Sequence, residues 1–88
     1  MKGTIKGIER LQYHSNKNDR DVDGVRIHIE RNDPEVVGLA VEAVFVAAAA
    51  MENMGLVLPE AKYKEALGKT LELEYNRFGR IASLAILP

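Results

Sequence analysis

Cysteine is absent from the 88 residues. Neither a disulfide framework nor a cysteine-based zinc site can therefore hold the chain together. Tryptophan is absent too, and the aromatic content is three Tyr and two Phe. An excess of charge of one sign is also lacking: 12 Lys and Arg stand against 13 Asp and Glu, a formal net charge of −1. That excludes the signature of a strongly basic nucleic-acid-binding domain and leaves only local concentrations of charge to consider. The longest apolar stretch, Val36 to Met51, is broken by Glu42 and falls short of the roughly 20 residues a membrane helix needs. It reads as protein core, and no membrane partner is expected.

Catalytic signatures are missing as well. Ser15 and Ser83 are the only serines, and neither lies in a Gly-x-Ser-x-Gly elbow. There is no phosphate loop and no dinucleotide fingerprint. His14 and His28 with Asp19, Asp21 or Asp23 are of suitable ligand type, and DRDVD alternates like calcium ligands. The long acidic loop ending in Glu is lacking, however, so exposed histidines and a polar hairpin tip are the better reading. The reading is of a chain that is not an enzyme and carries no cofactor or metal. Met1-Lys2-Gly3 leads straight into strand-like sequence rather than a secretory leader. With the lack of cysteine, this gives a cytoplasmic location as the expectation.

What is present suits one folded domain, 1–88. The apolar share of 47% and the charged share of 28% are ordinary for a globular protein. Lys2 to His14 reads as a long strand, because Gly3, Gly7, Thr4, Ile5 and Ile8 disfavour helix. Its alternation shifts once, as a bulge near Gly7 would cause. Ser15 to Asp23 reads as a polar hairpin tip. Val25, Ile27 and Ile29 alternate with Arg26, His28 and Glu30, which predicts a strand with one buried face. After a turn at Pro34, the Val-rich run from Val36 to Val46 predicts a strand buried on much of both faces, with Phe45 in the core. A single helix from Pro34 to Met54 is the rival. Ala47 to Met54 has helix propensity, and Gly55 suits a helix end. Further helical turns before Gly68 are followed by a hairpin: Leu71, Leu73 and Tyr75 facing inward, a turn at Arg77-Phe78-Gly79, then Ile81 to Leu87.

The predicted fold is mainly β: a small five-stranded OB-like barrel with a short helical connection between strands 3 and 4, closed or nearly closed because closure removes exposed edges. Three segments carry a family resemblance: KGTIKGIERLQYHS with the following DGVRIHIE, the central VEAVFVA, and the closing LGKTLELEYNRFGRIASLAIL. In these the chain resembles small OB-fold, single-stranded-DNA-binding-like proteins of Gram-positive phages and integrative elements. The resemblance implies a nucleic-acid-binding role.

The residues available for that role can be read independently. Lys2, Lys6, Arg10 and His14 recur at every fourth position and would share one face of an unbroken strand. With Arg26 and His28 on the next strand they would form a cationic stripe able to follow phosphates. Glu9 and Glu30 lie close by, so the bland reading is a solvated face of mixed charge. Tyr13, beside the basic segment, and Phe78, between Arg77 and Gly79, are the expected stacking rings. The expected nucleic-acid-binding set is thus Lys2, Lys6, Arg10, Tyr13, Arg26, His28, Arg77 and Phe78, with single-stranded nucleic acid as partner. The alternative is an interaction or self-assembly module in which the apolar strands join a homodimer.

Overall fold

The computed structural model describes every residue except Asn18. That part of the predicted hairpin tip lies outside the described residues. The fold is mainly β, with five strands: β1 (Lys2–Ser15), β2 (Arg20–Arg31), β3 (Ala40–Ala47), β4 (Thr70–Tyr75) and β5 (Ile81–Leu87). Between β3 and β4 lie α1 (Ala48–Asn53), a 3-10 turn (Glu60–Lys62) and α2 (Tyr63–Ala66). This is the predicted helical connection, and the single helix from Pro34 to Met54 does not form. All strand pairs are antiparallel, in one sheet of order β3-β2-β1-β4-β5. The sheet is not closed into a barrel; β3 and β5 are its two edges.

Period two builds the core as expected from β2 and β4. Val25, Ile27 and Ile29 of β2 and Leu71 and Leu73 of β4 are buried with Ile5, Val44, Val46 and Leu84. Met51 of α1 and Ala66 of α2 close this face. Each such aliphatic side chain contributes about 1.5–3 kcal/mol by leaving water.

A β-bulge divides β1. The register slips between Ile5, opposite Ile29, and Gly7, opposite His28, so Lys6 is the additional residue. Adding one residue sends every later side chain to the other face. Lys2 therefore shares a face with Glu72, away from the core, whereas Arg10 lies opposite the buried Val25. Tyr13 and Glu9 take the outer face with Val22 and Arg26. The bulge was expected near Gly7, but its consequence overturns the stripe: Lys2, Lys6, Arg10 and His14 do not share a face.

Several expected boundaries differ, each for a local reason. β2 begins at Arg20 rather than after Gly24, because Asp21 and Asp23 pair across the ribbon with His14 and Arg10. Beyond Gly24 and Thr4 this ribbon outruns the ladders to β3 and β4 and stands as a two-stranded arm. β3 begins at Ala40, not Val36. Asp33 accepts from the N–H groups of Val36 and Glu35, and Gly38 takes a positive φ of 93°, so the chain turns before extending. The strand is buried on one face only: Val44 and Val46 point in, and Val41, Ala43 and Phe45 point out. Tyr75 continues the Leu71 and Leu73 row yet is exposed, because β4 runs past the start of β1. Its last backbone contact there joins Leu73 to Met1. Gly55 and Gly68 end the helical segments with positive φ, as read from sequence.

Candidate nucleic-acid interface

Antiparallel partners directly opposite one another share a face, so the ladder gives the make-up of the outer surface. One row runs Glu9, Arg26, Phe45; the next runs Leu11, Gly24, Ala47; a third runs Gly7, His28, Ala43. Tyr13 and Val22 extend it onto the arm. Three expected site residues, Tyr13, Arg26 and His28, are thus brought together. Phe45, expected in the core, joins them on the surface.

The cations of this face are not free. Arg26 donates to Glu9 at 3.1 Å, and His28 stands 3.1 Å from the same carboxylate. The His28 contact, aided by Arg26, holds the Glu9 carboxyl below its ordinary range. Elsewhere Lys2 meets Glu72 at 3.9 Å and Lys6 meets Glu30 at 3.8 Å. Arg10, on the opposite face, is held by Asp23 at 2.6 Å, a contact that raises its already high pKa. His14 lies 2.9 Å from Asp21 and 3.2 Å from Asp19. These exposed pairs add little stability, typically 0–1 kcal/mol each. They do neutralise the expected stripe. Among the described residues no group of three or more metal-ligating side chains is placed to hold an ion.

The β4–β5 turn is built differently. The Asn76 side-chain oxygen accepts from the N–H groups of Phe78 at 2.9 Å and Arg80 at 3.1 Å. The Asn76 N–H donates to the Arg80 carbonyl at 2.7 Å, and Gly79 supplies the positive φ of 76° that the turn requires. This fixes a loop whose side chains project into solvent. The Arg77 guanidinium lies 4.9 Å from the Phe78 ring centre, a cation–π contact. Arg77 and Arg80 take part in none of the ion pairs found among the described residues.

The open seam between β3 and the β4–β5 hairpin forms a groove of about 510 Å³, lined by Ala43 to Ala47 with Tyr75, Arg80 and Ile81. A second hollow, of about 580 Å³, lies on the other side of Phe45 and reaches Tyr13 and Val22. Phe45 borders both, so the two hollows together carry three exposed rings, Tyr13 (55% exposed), Phe45 (42%) and Tyr75 (50%). Phe78, 72% exposed, stands in the adjoining turn. Sequence reasoning missed Phe45 and Tyr75, and it placed Arg80 beside Phe78 without counting it in the site. Strict alternation around the buried Val44 and Val46 would have turned Phe45 outward, but the Val-rich run masked it.

On the core side, a cleft of about 330 Å³ lies between the sheet and the α1–α2 connection, lined by Met51, Leu56, Leu58, Tyr63 and Arg10. Burial, with Glu60 nearby, raises the Tyr63 hydroxyl pKa against the opposing pull of Arg10. No helix of the described residues is long and apolar enough to cross a membrane. In comparisons with family models, curated proteins and solved structures, nothing matches the chain.

Proposed function

We propose that the chain is a non-catalytic module that binds single-stranded nucleic acid on the exposed rings of the two hollows, on an open variant of the OB-like barrel. The observation that carries this reading is that Tyr13, Phe45 and Tyr75 line two hollows that share Phe45, one of them also bordered by Arg80, which has no ion-pair partner among the described residues. Bases are flat and apolar on both faces, and stacking on such rings is worth about 1–3 kcal/mol per base without needing a particular sequence. The strand order supports the reading further. A β1-β2-β3 meander, a helical connection, and a β4–β5 hairpin joined to β1 would become a five-stranded barrel if β3 met β5. In that architecture the strand 2–3 face and the loops after strands 1 and 4 take oligonucleotides. Here those places hold Arg26, His28 and Phe45, the arm with Tyr13, and Arg77 with Phe78.

Lys2, Lys6 and Arg10 leave the proposed site, since carboxylates hold them and the bulge scatters them. Phosphate contact then falls to Arg77 and Arg80. The test is titration of a short labelled single strand, with its duplex as control, at several salt concentrations. Two phosphate contacts predict a slope of log affinity against log salt of roughly −1.4, at ~0.7 per contact on single strands. Phe45→Ala and Phe78→Ala each weaken binding, whereas Lys2→Ala and Lys6→Ala leave it unchanged. No binding at micromolar protein, or a steep slope lost on removing Lys2 and Lys6, overturns the proposal.

A further inference from the structure

Exposed apolar side chains gather on one edge of the sheet. Val36, Val37 and Leu39 in the loop before β3, and Val41 and Phe45 on β3 itself, are all exposed, and Val37 is as open as in an extended chain. The edge of β3 beside them has no strand partner. Proline and lysine, the usual means of blunting such an edge, are absent from AVEAVFVA, and its one charge, Glu42, is bound to Arg31.

We infer that this edge pairs with the same edge of a second copy, antiparallel, about a two-fold axis at Ala43. A two-fold axis through the sheet keeps inner faces inner, so residues opposite one another must match in face. Centring on Ala43 sets this small residue against its own copy. It also puts Val41 beside Phe45 of the second copy, an aromatic–β-branched pair of the kind that stabilises sheets. Glu42 then faces Val44 rather than another carboxylate. Leu39 and Val37 reach the low surface of Ala47 to Ala49 in the second copy.

The area is sufficient for this and little more. The five side chains leave in water the equivalent of about three whole ones, roughly 300 Å² at about 100 Å² each. Two copies cover ~600 Å² of apolar surface, which at a homodimer's ~65% apolar share implies a contact of about 900 Å². Specific interfaces begin near ~1,000 Å², so the dimer is weak and governed by concentration. The second strand would enter the seam, so a bound nucleic acid and a second copy exclude one another. The test is therefore made without nucleic acid, and its outcome is separate from that of oligonucleotide titration.

The experiment is sedimentation velocity of the full chain from low micromolar to near-millimolar concentration. Monomer passes to dimer across that range and goes no further. Val41→Lys holds the chain monomeric throughout, with an unchanged circular dichroism spectrum. Val37→Ser, at a side chain wholly open to solvent in the single chain, weakens association at least tenfold. Val57→Lys, also well exposed but off this edge, has no effect. A monomer at every concentration, growth beyond the dimer, or a Val37→Ser protein that associates like the parent overturns the inference.

Discussion

Gly24 is the most crowded glycine of the sheet, and its replacement by alanine tests both the packing and the proposed site. A Cβ on Gly24 would collide with the backbone carbonyl oxygen of Val46, and would lie 2.9 Å from Cζ of Phe45 and 3.0 Å from Cα of Ala47. Two of these are backbone atoms in a paired strand, so relief requires β3 to move from β2 and the Phe45 ring to leave its seat. Forced overpacking of this sort costs about 1–3 kcal/mol. In a domain of this size each kcal/mol lowers Tm by ~4–8 °C, so Gly24→Ala should melt roughly 5–20 °C below the parent. Gly7→Ala is the matched control. Its Cβ meets only the His28 side chain, at 3.6 Å or beyond, and its φ is not positive. It should be neutral or more stable by up to about 1 kcal/mol, through a less disordered unfolded chain. Thermal melts followed by circular dichroism at low protein concentration measure both. Gly24→Ala as stable as the parent, or Gly7→Ala the worse of the two, would refute the reasoning. Because the substitution moves Phe45, Gly24→Ala should also bind single strands less well at temperatures where it remains folded.

Other outcomes follow from the same geometry. Leu73→Ala, fully buried at the centre of the core, should cost about 2–5 kcal/mol in urea denaturation. The carboxyl groups of Glu9 and Glu42 are held below their ordinary value of 4.5 by His28 and Arg31 respectively. A depressed native pKa contributes stability that is present above 4.5 and lost as pH falls through the native value. Tm should accordingly drop below pH 4.5, and Glu9→Gln should reduce that drop; an unaltered acid limb in the variant would remove Glu9 from the explanation. Asn76→Ala should release the β4–β5 turn, seen as faster amide hydrogen exchange at Phe78 and Arg80 with little change in the rest of the sheet. A short single strand added to concentrated protein should lower its sedimentation coefficient toward the monomer–oligonucleotide value.

The sequence revealed the strands wherever one face alone was wet. In β2 and at Leu71 and Leu73, apolar side chains recur at every second position, and these residues became the core. α1 and its glycine end were equally legible, since propensity and punctuation agree there. The misses share a cause: each depended on where a neighbouring strand stops. Phe45 is surface because nothing lies over the outer face of β3, and Tyr75 is surface because β1 has already begun below it. Asp21 and Asp23 look like turn residues in isolation, yet Arg10 and His14 across the ribbon hold them in a strand. The expected cationic stripe failed for two reasons that no spacing rule exposes, namely an added residue in β1 and a carboxylate opposite nearly every cation. Tyr13, Arg26, His28, Arg77 and Phe78 remain in the proposed site, while Phe45, Tyr75 and Arg80 joined it only once the seam was known.

Lys6 is the one residue between Thr4 and Ser15 that has no opposite number in β2. Removing that one codon would straighten the strand and leave its two sides as they are, because Gly7 would then follow Ile5 and still stand across from His28. Glu9 would stay across from Arg26, and Tyr13 would keep the surface on which it now stands. A straightened strand that retained all of its residues would instead drive Glu9 among Ile27 and Val44. A relative shortened by one at this point should therefore keep the same interior.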